Sequence, residues 1–201
     1  MKQSPRTIAS ILLAIPLLLT PTLIGGVHLP VIACMGAFAF FAALIAASSS
    51  EESSFSPLFL MFAVSVIIAI LQLVPLPPSL VQLLSPRGHE HATTTFALLG
   101  LEQMPWRSLS MDPHATLDRI VRWGVLALMV FAAGNLGASS KHRLGLQASI
   151  LLGALISLAA GCFQKLLDPK LMLGFYEASI PATTGSTFVS WNHAASLYVL
   201  C

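Results

Sequence analysis

The chain has 201 residues, 56% of them hydrophobic and only 9% charged, with a net charge of +2. Soluble domains carry about 25% charged residues, so ten Lys plus Arg and eight Asp plus Glu cannot clothe a water-facing globule of this size. The mean hydropathy of +0.83 points to a bilayer as solvent; the small net charge argues against a nucleic-acid partner, and continuous apolar runs argue against a β-barrel, whose strands alternate in polarity.

The composition and the spacing of apolar runs predict an all-α, polytopic transmembrane helical bundle, a single membrane domain with five complete spans and the truncated start of a sixth. Lys2 and Arg6 precede "IASILLAIPLLLT" without a small-x-small cleavage site, so this segment reads as a retained first span over 7–24, kinked at Pro16. The breaker "GGVHLP" leads to a second span over 29–47, and the acidic "SSSEESSFS" to a third over 57–74. A loop over 75–112 follows, then a fourth span over 113–134. The short basic "ASSKHR" joins it to a fifth over 144–163, and a second long loop covers 164–192. The sixth run, 193–201, would cover only about 12 Å of helix against a hydrocarbon core of about 30 Å. The sequence therefore reads as a fragment of a longer protein.

Cys34, Cys162 and Cys201 sit far apart in apolar runs and carry no metal-ligand spacing. In the fifth span Gly145, Ser149, Gly153, Ser157 and Gly161 recur at every fourth residue. Small side chains at that spacing form a shallow ridge, which lets a neighbouring helix approach closely where burial from water supplies no drive. Lys and Arg in short loops set orientation. Lys2, Arg6, Lys141 and Arg143 share one side, and Arg87, Arg107, Lys165 and Lys170 the other. With the first helix dominant, the N-terminus is expected to be cytoplasmic and both long loops to lie outside the cytoplasm.

Four stretches carry the chemistry. In "LQLVPLPPSLVQLLSP", Pro75, Pro77 and Pro78 end the third span. "PSLVQLLSP" then suits a short interfacial helix with Leu80, Val81, Leu83 and Leu84 toward lipid. In "MPWRSLSMDPHATLDRIVRWG", Asp112 before Pro113 is a helix start. Arg119 and Arg122 share a face one or two turns inside, with Asp118 four residues before Arg122. Arginines there are costly; snorkelling to headgroups with the Asp118 pair would account for them, and so would a bound anion, since guanidinium forks match phosphate oxygens. His89-Glu90-His91 places two alternate imidazoles in a loop, too few for a metal site. Asn192 suits a helix cap, with His193 as the first helical residue. No catalytic residue, metal or cofactor is expected from these patterns.

Three of these elements together resemble the N-terminal half of bacterial O-antigen ligase and O-antigen polymerase-like membrane proteins. The Pro-Leu-Pro segment follows the third span. Trp106, Leu109, Ser110, Asp112, Pro113 and Thr116 match a Trp-x-x-Leu-Ser-x-Asp-Pro-x-x-Thr element before the fourth. Thr187, Phe188, Asn192 and His193 match a later Gly-Thr-Phe-x-Asn-x-Asn-His element, in which Ser186, Ser190 and Trp191 depart from the pattern. The resemblance implies a metal-independent, inverting glycosyltransferase of the inner membrane, a lipopolysaccharide or polysaccharide biosynthesis protein. It implies transfer of glycan from undecaprenyl pyrophosphate to lipid A–core, or another acceptor, at the periplasmic face. The family's catalytic His and main arginines lie in a large loop beyond these residues, so none is carried over. Arg107, Arg119, Arg122, Asn192 and His193 are the candidate ligands of the lipid-linked pyrophosphate. The competing readings are a transporter subunit, disfavoured by apolar span centres, and a non-catalytic scaffold built on the small-residue ridge.

Overall fold

The computed structural model describes residues 4–21, 29–49, 55–101, 105–167, 171–172 and 176–177. Among these residues the chain forms seven α-helices and one two-residue hairpin. The helices are α1 (Pro5–Leu19), α2 (Leu29–Ser48), α3 (Pro57–Leu73), α4 (Pro78–Leu84), α5 (Pro86–Leu98), α6 (Pro113–Gly137) and α7 (Ser140–Leu167). The hairpin strands, β1 (Leu171–Met172) and β2 (Tyr176–Glu177), are antiparallel. Two units are described separately below, one of residues 1–59 with 125–201 and one of residues 60–124.

Three helices are long and apolar enough to cross a membrane: Pro30–Ser48, Pro113–Gly137 and Ser140–Ala160. The five complete spans read from the sequence are more than this. α1 has 15 residues and α3 has 17, about 22 and 26 Å at 1.5 Å per residue, short of the hydrocarbon thickness. Apolar residues continue the sequence beyond both helices, so a count made on hydropathy alone runs past the helix ends. The expected extension of the first span to residue 24 and the start of the sixth lie outside the described residues.

α1 begins where its sequence dictates. The Ser4 hydroxyl accepts from the Thr7 amide at 3.3 Å, and Pro5 takes the first helical position, where its missing N–H costs nothing. The helix continues through Pro16, which is buried. In the first unit α1 packs against α2 and α7. The core there is made mostly of small residues: Ala9, Ala42, Ala43, Ala46 and Ala132, with Leu13, Leu136 and Leu146. Large apolar side chains point the other way. Phe40, Phe41, Leu44, Leu151, Leu152, Leu155 and Ile156 are all exposed. A water-soluble bundle hides its largest apolar groups, and an apolar surface this extensive needs an apolar solvent. Together with the three long helices it points to a membrane protein.

Two glycines mark close approaches. A Cβ on Gly36 of α2 would lie 2.7 Å from Val125 Cγ2 of α6, and one on Gly153 of α7 would lie 2.8 Å from the Leu18 carbonyl oxygen of α1. The ridge on α7 is thus used within the chain, but only in part. Gly153 and Ser157 are buried, Ser149 is half-buried, and Gly145 faces open space. Gly161 continues the same helix. One end of this unit is tied by polar contacts. Arg6 donates from Nε and Nη2 to the Ser49 carbonyl just after α2, at 3.2 and 2.9 Å. Ser10 Oγ of α1 and His142 Nδ1 of α7 are hydrogen-bonded at 2.9 Å. The rings of Phe55, Phe59 and Phe131 form a mutual cluster with centroids 5.3–5.6 Å apart.

In the second unit, the segment read as a loop over 75–112 carries two helices. α4 is the short helix expected from "PSLVQLL", and it packs on α5. Leu80, Leu83 and Leu84 are exposed as expected, but Val81 is 2% exposed and faces protein instead of lipid. α5 turns the His89-Glu90-His91 stretch into helix, so that two residues apart places the imidazoles on opposite sides.

Candidate functional site

The second unit brings together two of the sequence elements singled out above, some thirty positions apart in the chain. Leu76, within the Pro-rich segment, forms an antiparallel bridge with Arg107: the Leu76 amide donates to the Arg107 carbonyl at 2.9 Å and the Arg107 amide to the Leu76 carbonyl at 3.1 Å. Prolines on both sides of Leu76 keep this stretch extended, which is the conformation a bridge needs. Further along, the Ser110 amide donates to the Gln72 carbonyl at 3.0 Å, satisfying a carbonyl in the last turn of α3 that has no helical partner of its own. The stretch 107–110 is therefore held against the end of α3 by backbone contacts at both ends.

Side chains complete the frame. Ser110 Oγ and Thr116 Oγ1 share a hydrogen bond of 2.7 Å, and Ser108 Oγ donates to the Ser110 carbonyl at 3.0 Å. Asp112 caps α6: its Oδ1 accepts from the Ala115 amide at 3.0 Å, and its carbonyl accepts from the Thr116 amide at 3.0 Å. The Asp-Pro step, the Ser and the Thr thus fix the start of α6, so the arginine seven residues after Asp112 projects at a set point.

This frame borders a cavity of about 460 Å³ whose wall includes Gln72, Ser85, Ser110, Asp112, Thr116 and Arg119. A second cavity of about 420 Å³, sharing Ser110 and Met111 with the first, is lined by His91, Thr95, Phe96, Arg107 and Ser108 among others. Arg119 and Arg107 each line one of them.

The candidate arginines are not equivalent. Arg122 is engaged by Asp118: Nε donates to Oδ2 at 2.7 Å and Nη2 to Oδ1 at 3.3 Å. Arg122 lines neither cavity. Arg107 contributes its backbone to the bridge and also lines the second cavity. Arg119 is exposed, lines the first cavity, and has no hydrogen-bond or ion-pair partner among the described residues. An arginine keeps five N–H donors and a permanent charge, so Arg119 carries the site's unspent capacity for an anion. The positive end of α6 lies at the same wall. Asp112 is the opposing charge, with one oxygen already taken by the helix cap.

Asn192 and His193 lie outside the described residues. Sequence reasoning missed Gln72 and gave Ser110 and Thr116 no role in binding. Their signal was the spacing of Ser110 and Thr116 around the Asp-Pro step, which reads as helix capping until the fold reveals a cavity there. His91 lines the second cavity, whereas the Nδ1 of His89 is buried without a hydrogen-bond partner among the described residues. Among the described residues no three His, Cys, Asp or Glu side chains gather as metal ligands would. A comparison with family models, curated proteins and solved structures finds no match to the chain.

Proposed function

We propose that this chain works in an O-antigen ligase-like glycosyltransferase of the bacterial inner membrane. It would hold the undecaprenyl pyrophosphate donor while its glycan moves to lipid A–core or a similar acceptor at the periplasmic face. The observation that carries the reading is Arg119, which has no partner among the described residues and lines a hydroxyl-bearing cavity formed where two elements of the family resemblance meet. In an inverting transfer the acceptor hydroxyl oxygen bonds to the anomeric carbon as its proton passes to a base, the anomeric C–O bond to the pyrophosphate breaks, and the pyrophosphate leaves on its lipid with the charge. A fixed guanidinium near that pyrophosphate favours its departure more than it favours the bound donor, which is what lowers a barrier. Arg107 in the neighbouring cavity supplies a second cation, and Arg122 holds Asp118 so that this carboxylate does not compete for Arg119.

In this reading α1 and α3 also cross the bilayer, each completed by adjoining apolar residues. Orientation is supported by one end of the first unit. There the start of α1, the end of α2 and the start of α7 are joined by the Arg6–Ser49 and Ser10–His142 contacts, and the same end carries Lys141 and Arg143. Cationic short segments stay in the cytoplasm. In this reading α6 runs outward from that end, with Pro113 toward the periplasm.

Two experiments test the proposal. A reporter fused after Ser140 is expected to read as cytoplasmic, and one after Gly100 as periplasmic; the reverse pattern removes the donor site from the face where donor is used. Disrupting the gene in its host is expected to strip the long-glycan ladder from extracted lipopolysaccharide. An unchanged ladder, with other surface polysaccharides also intact, refutes the glycosyltransferase reading.

A further inference from the structure

α5 changes polarity along its axis. Arg87, His91, Thr95 and the cap residue Leu99 follow one another at four-residue steps, as do Glu90, Thr94 and Leu98, and all seven are exposed. Residues at that spacing stack along one side of a helix. Each stripe therefore passes from ionisable groups through a hydroxyl to an alkyl group, in the same direction. From Glu90 to Leu98 the rise is about 12 Å, enough to cross the headgroup layer, which is roughly 5–8 Å deep on each side of the hydrocarbon.

The far end of the helix suits an apolar medium. Leu98 is 84% exposed, more than any other large apolar residue among those described, and Leu99 and Leu101 are exposed beside it. The backbone there is closed on itself. The Leu99 amide donates to the Thr95 and Phe96 carbonyls at 3.2 and 3.1 Å, the Gly100 amide to Ala97 at 3.1 Å, and the Leu101 amide to Phe96 at 3.0 Å. Gly100, at φ 73°, supplies the left-handed residue that this closure needs. Carbonyls of a last helical turn otherwise turn to water, and open ones could not enter hydrocarbon. The hydroxyls of Thr94 and Thr95 donate to the Glu90 and His91 carbonyls at 2.9 and 2.8 Å, so they need no water as acceptor. The tip is also tethered close to the membrane boundary. Leu101 stands six residues before Arg107, at most about 20 Å of extended chain. Arg107 is bridged to Leu76 just beyond the end of α3, and α6, long enough to cross a membrane, opens six residues later. A protein partner is met by an apolar patch ringed with polar groups; here polarity falls along one axis, as it does from water into a lipid leaflet.

We propose that α5 is a membrane anchor, with Leu98, Leu99 and Leu101 inserted end-on into the leaflet beside α3 and α6. Thr94 and Thr95 lie at headgroup depth, and Arg87 and Glu90 in water. The anchor sets the depth of the second cavity, whose wall includes His91, Thr95 and Phe96, whatever that cavity binds.

Spin labels test the depth. Glu90→Cys, Thr94→Cys, Leu98→Cys and Leu99→Cys are made singly in the whole chain, with Cys34→Ser, Cys162→Ser and Cys201→Ser removing the native thiols. Each carries a nitroxide in nanodiscs of phosphatidylethanolamine and phosphatidylglycerol, one copy per disc. Molecular oxygen concentrates in hydrocarbon and a neutral nickel chelate in water, so the ratio of the two accessibilities reads depth. The oxygen-to-nickel ratio is expected to be several-fold higher at 98 and 99 than at 90, with 94 between. A ratio that does not rise from 90 to 99 overturns the anchor. Exclusion of both reagents at 98 and 99 also overturns it, because the leucines are then covered by protein instead of lipid.

Discussion

Replacing Arg119 by Gln is expected to lower glycan transfer by about ten- to a hundredfold while leaving the protein in the membrane at its normal level. A hydrogen bond to a charged group contributes about 1.5–3 kcal/mol, and each 1.4 kcal/mol is a factor of ten. Gln keeps the reach and a donor but loses the charge and the fork. Arg119 has no other partner among the described residues, so its removal breaks no contact that holds the fold. Arg122→Gln serves as the contrast. It releases Asp118, whose carboxylate is only partly buried, and exposed pairs of this kind contribute little to stability. Its effect on transfer should be smaller than that of Arg119→Gln. No loss from Arg119→Gln at matched protein level would remove the pyrophosphate role from this cavity. The assay uses membranes carrying the full-length protein with a defined lipid-linked donor, and the readout is labelled acceptor.

Gly153→Ala is expected to destabilise the first unit by about 1–3 kcal/mol, the usual cost of forcing extra volume into a packed contact. The added Cβ would sit 2.8 Å from one backbone oxygen of α1 and 3.1 Å from another. Backbone cannot swing aside as a side-chain tip can, so α1 must move away from α7 along their shared contact. Alanine's better helix propensity, worth up to about 1 kcal/mol over glycine, works against this loss without cancelling it. Gly145→Ala on the same ridge isolates that propensity term. Its Cβ meets nothing within 4 Å, so the substitution should be neutral or mildly stabilising. Unfolding titrations in mixed detergent micelles measure both variants. If the two glycines respond alike, the close contact between α1 and α7 is not what holds this unit.

The helices were legible because long apolar runs broken by Gly and Pro leave few alternatives. α3 ends at Leu73, just before the first proline of the Pro-rich segment, and α6 starts at Pro113 after its Asp cap. What hydropathy could not supply was helix length, since apolar residues outside a helix read the same as those within it. α5 was illegible for a different reason. "PRGHEHATTTFAL" contains Gly, two His and three consecutive Thr, a composition with poor helix propensity. It is helical through packing on α4; its threonine hydroxyls donate back to the Glu90 and His91 carbonyls, which satisfies them without favouring the helix. At the site, the spacing of Arg119 and Arg122 suggested two equal ligands, and the Asp118–Arg122 pairing was visible four residues apart. Its consequence, that of these two only Arg119 is without a partner among the described residues, depends on knowing which of them lines the cavity. Gln72 could not be found from sequence, because its role comes from a backbone carbonyl reached by Ser110 across an intervening pair of helices.

The alanine-rich core of the first unit bears on how this protein responds to heat. In a bilayer, pulling α1 from α2 and α7 exchanges contacts with neighbouring methyl groups for contacts with acyl chains, and water gains little new apolar surface. Heat-capacity change on unfolding follows the apolar area newly hydrated. Helix separation within the membrane should therefore be nearly free of the curvature that makes soluble domains weaken in the cold, and the stability of this bundle should vary almost linearly with temperature.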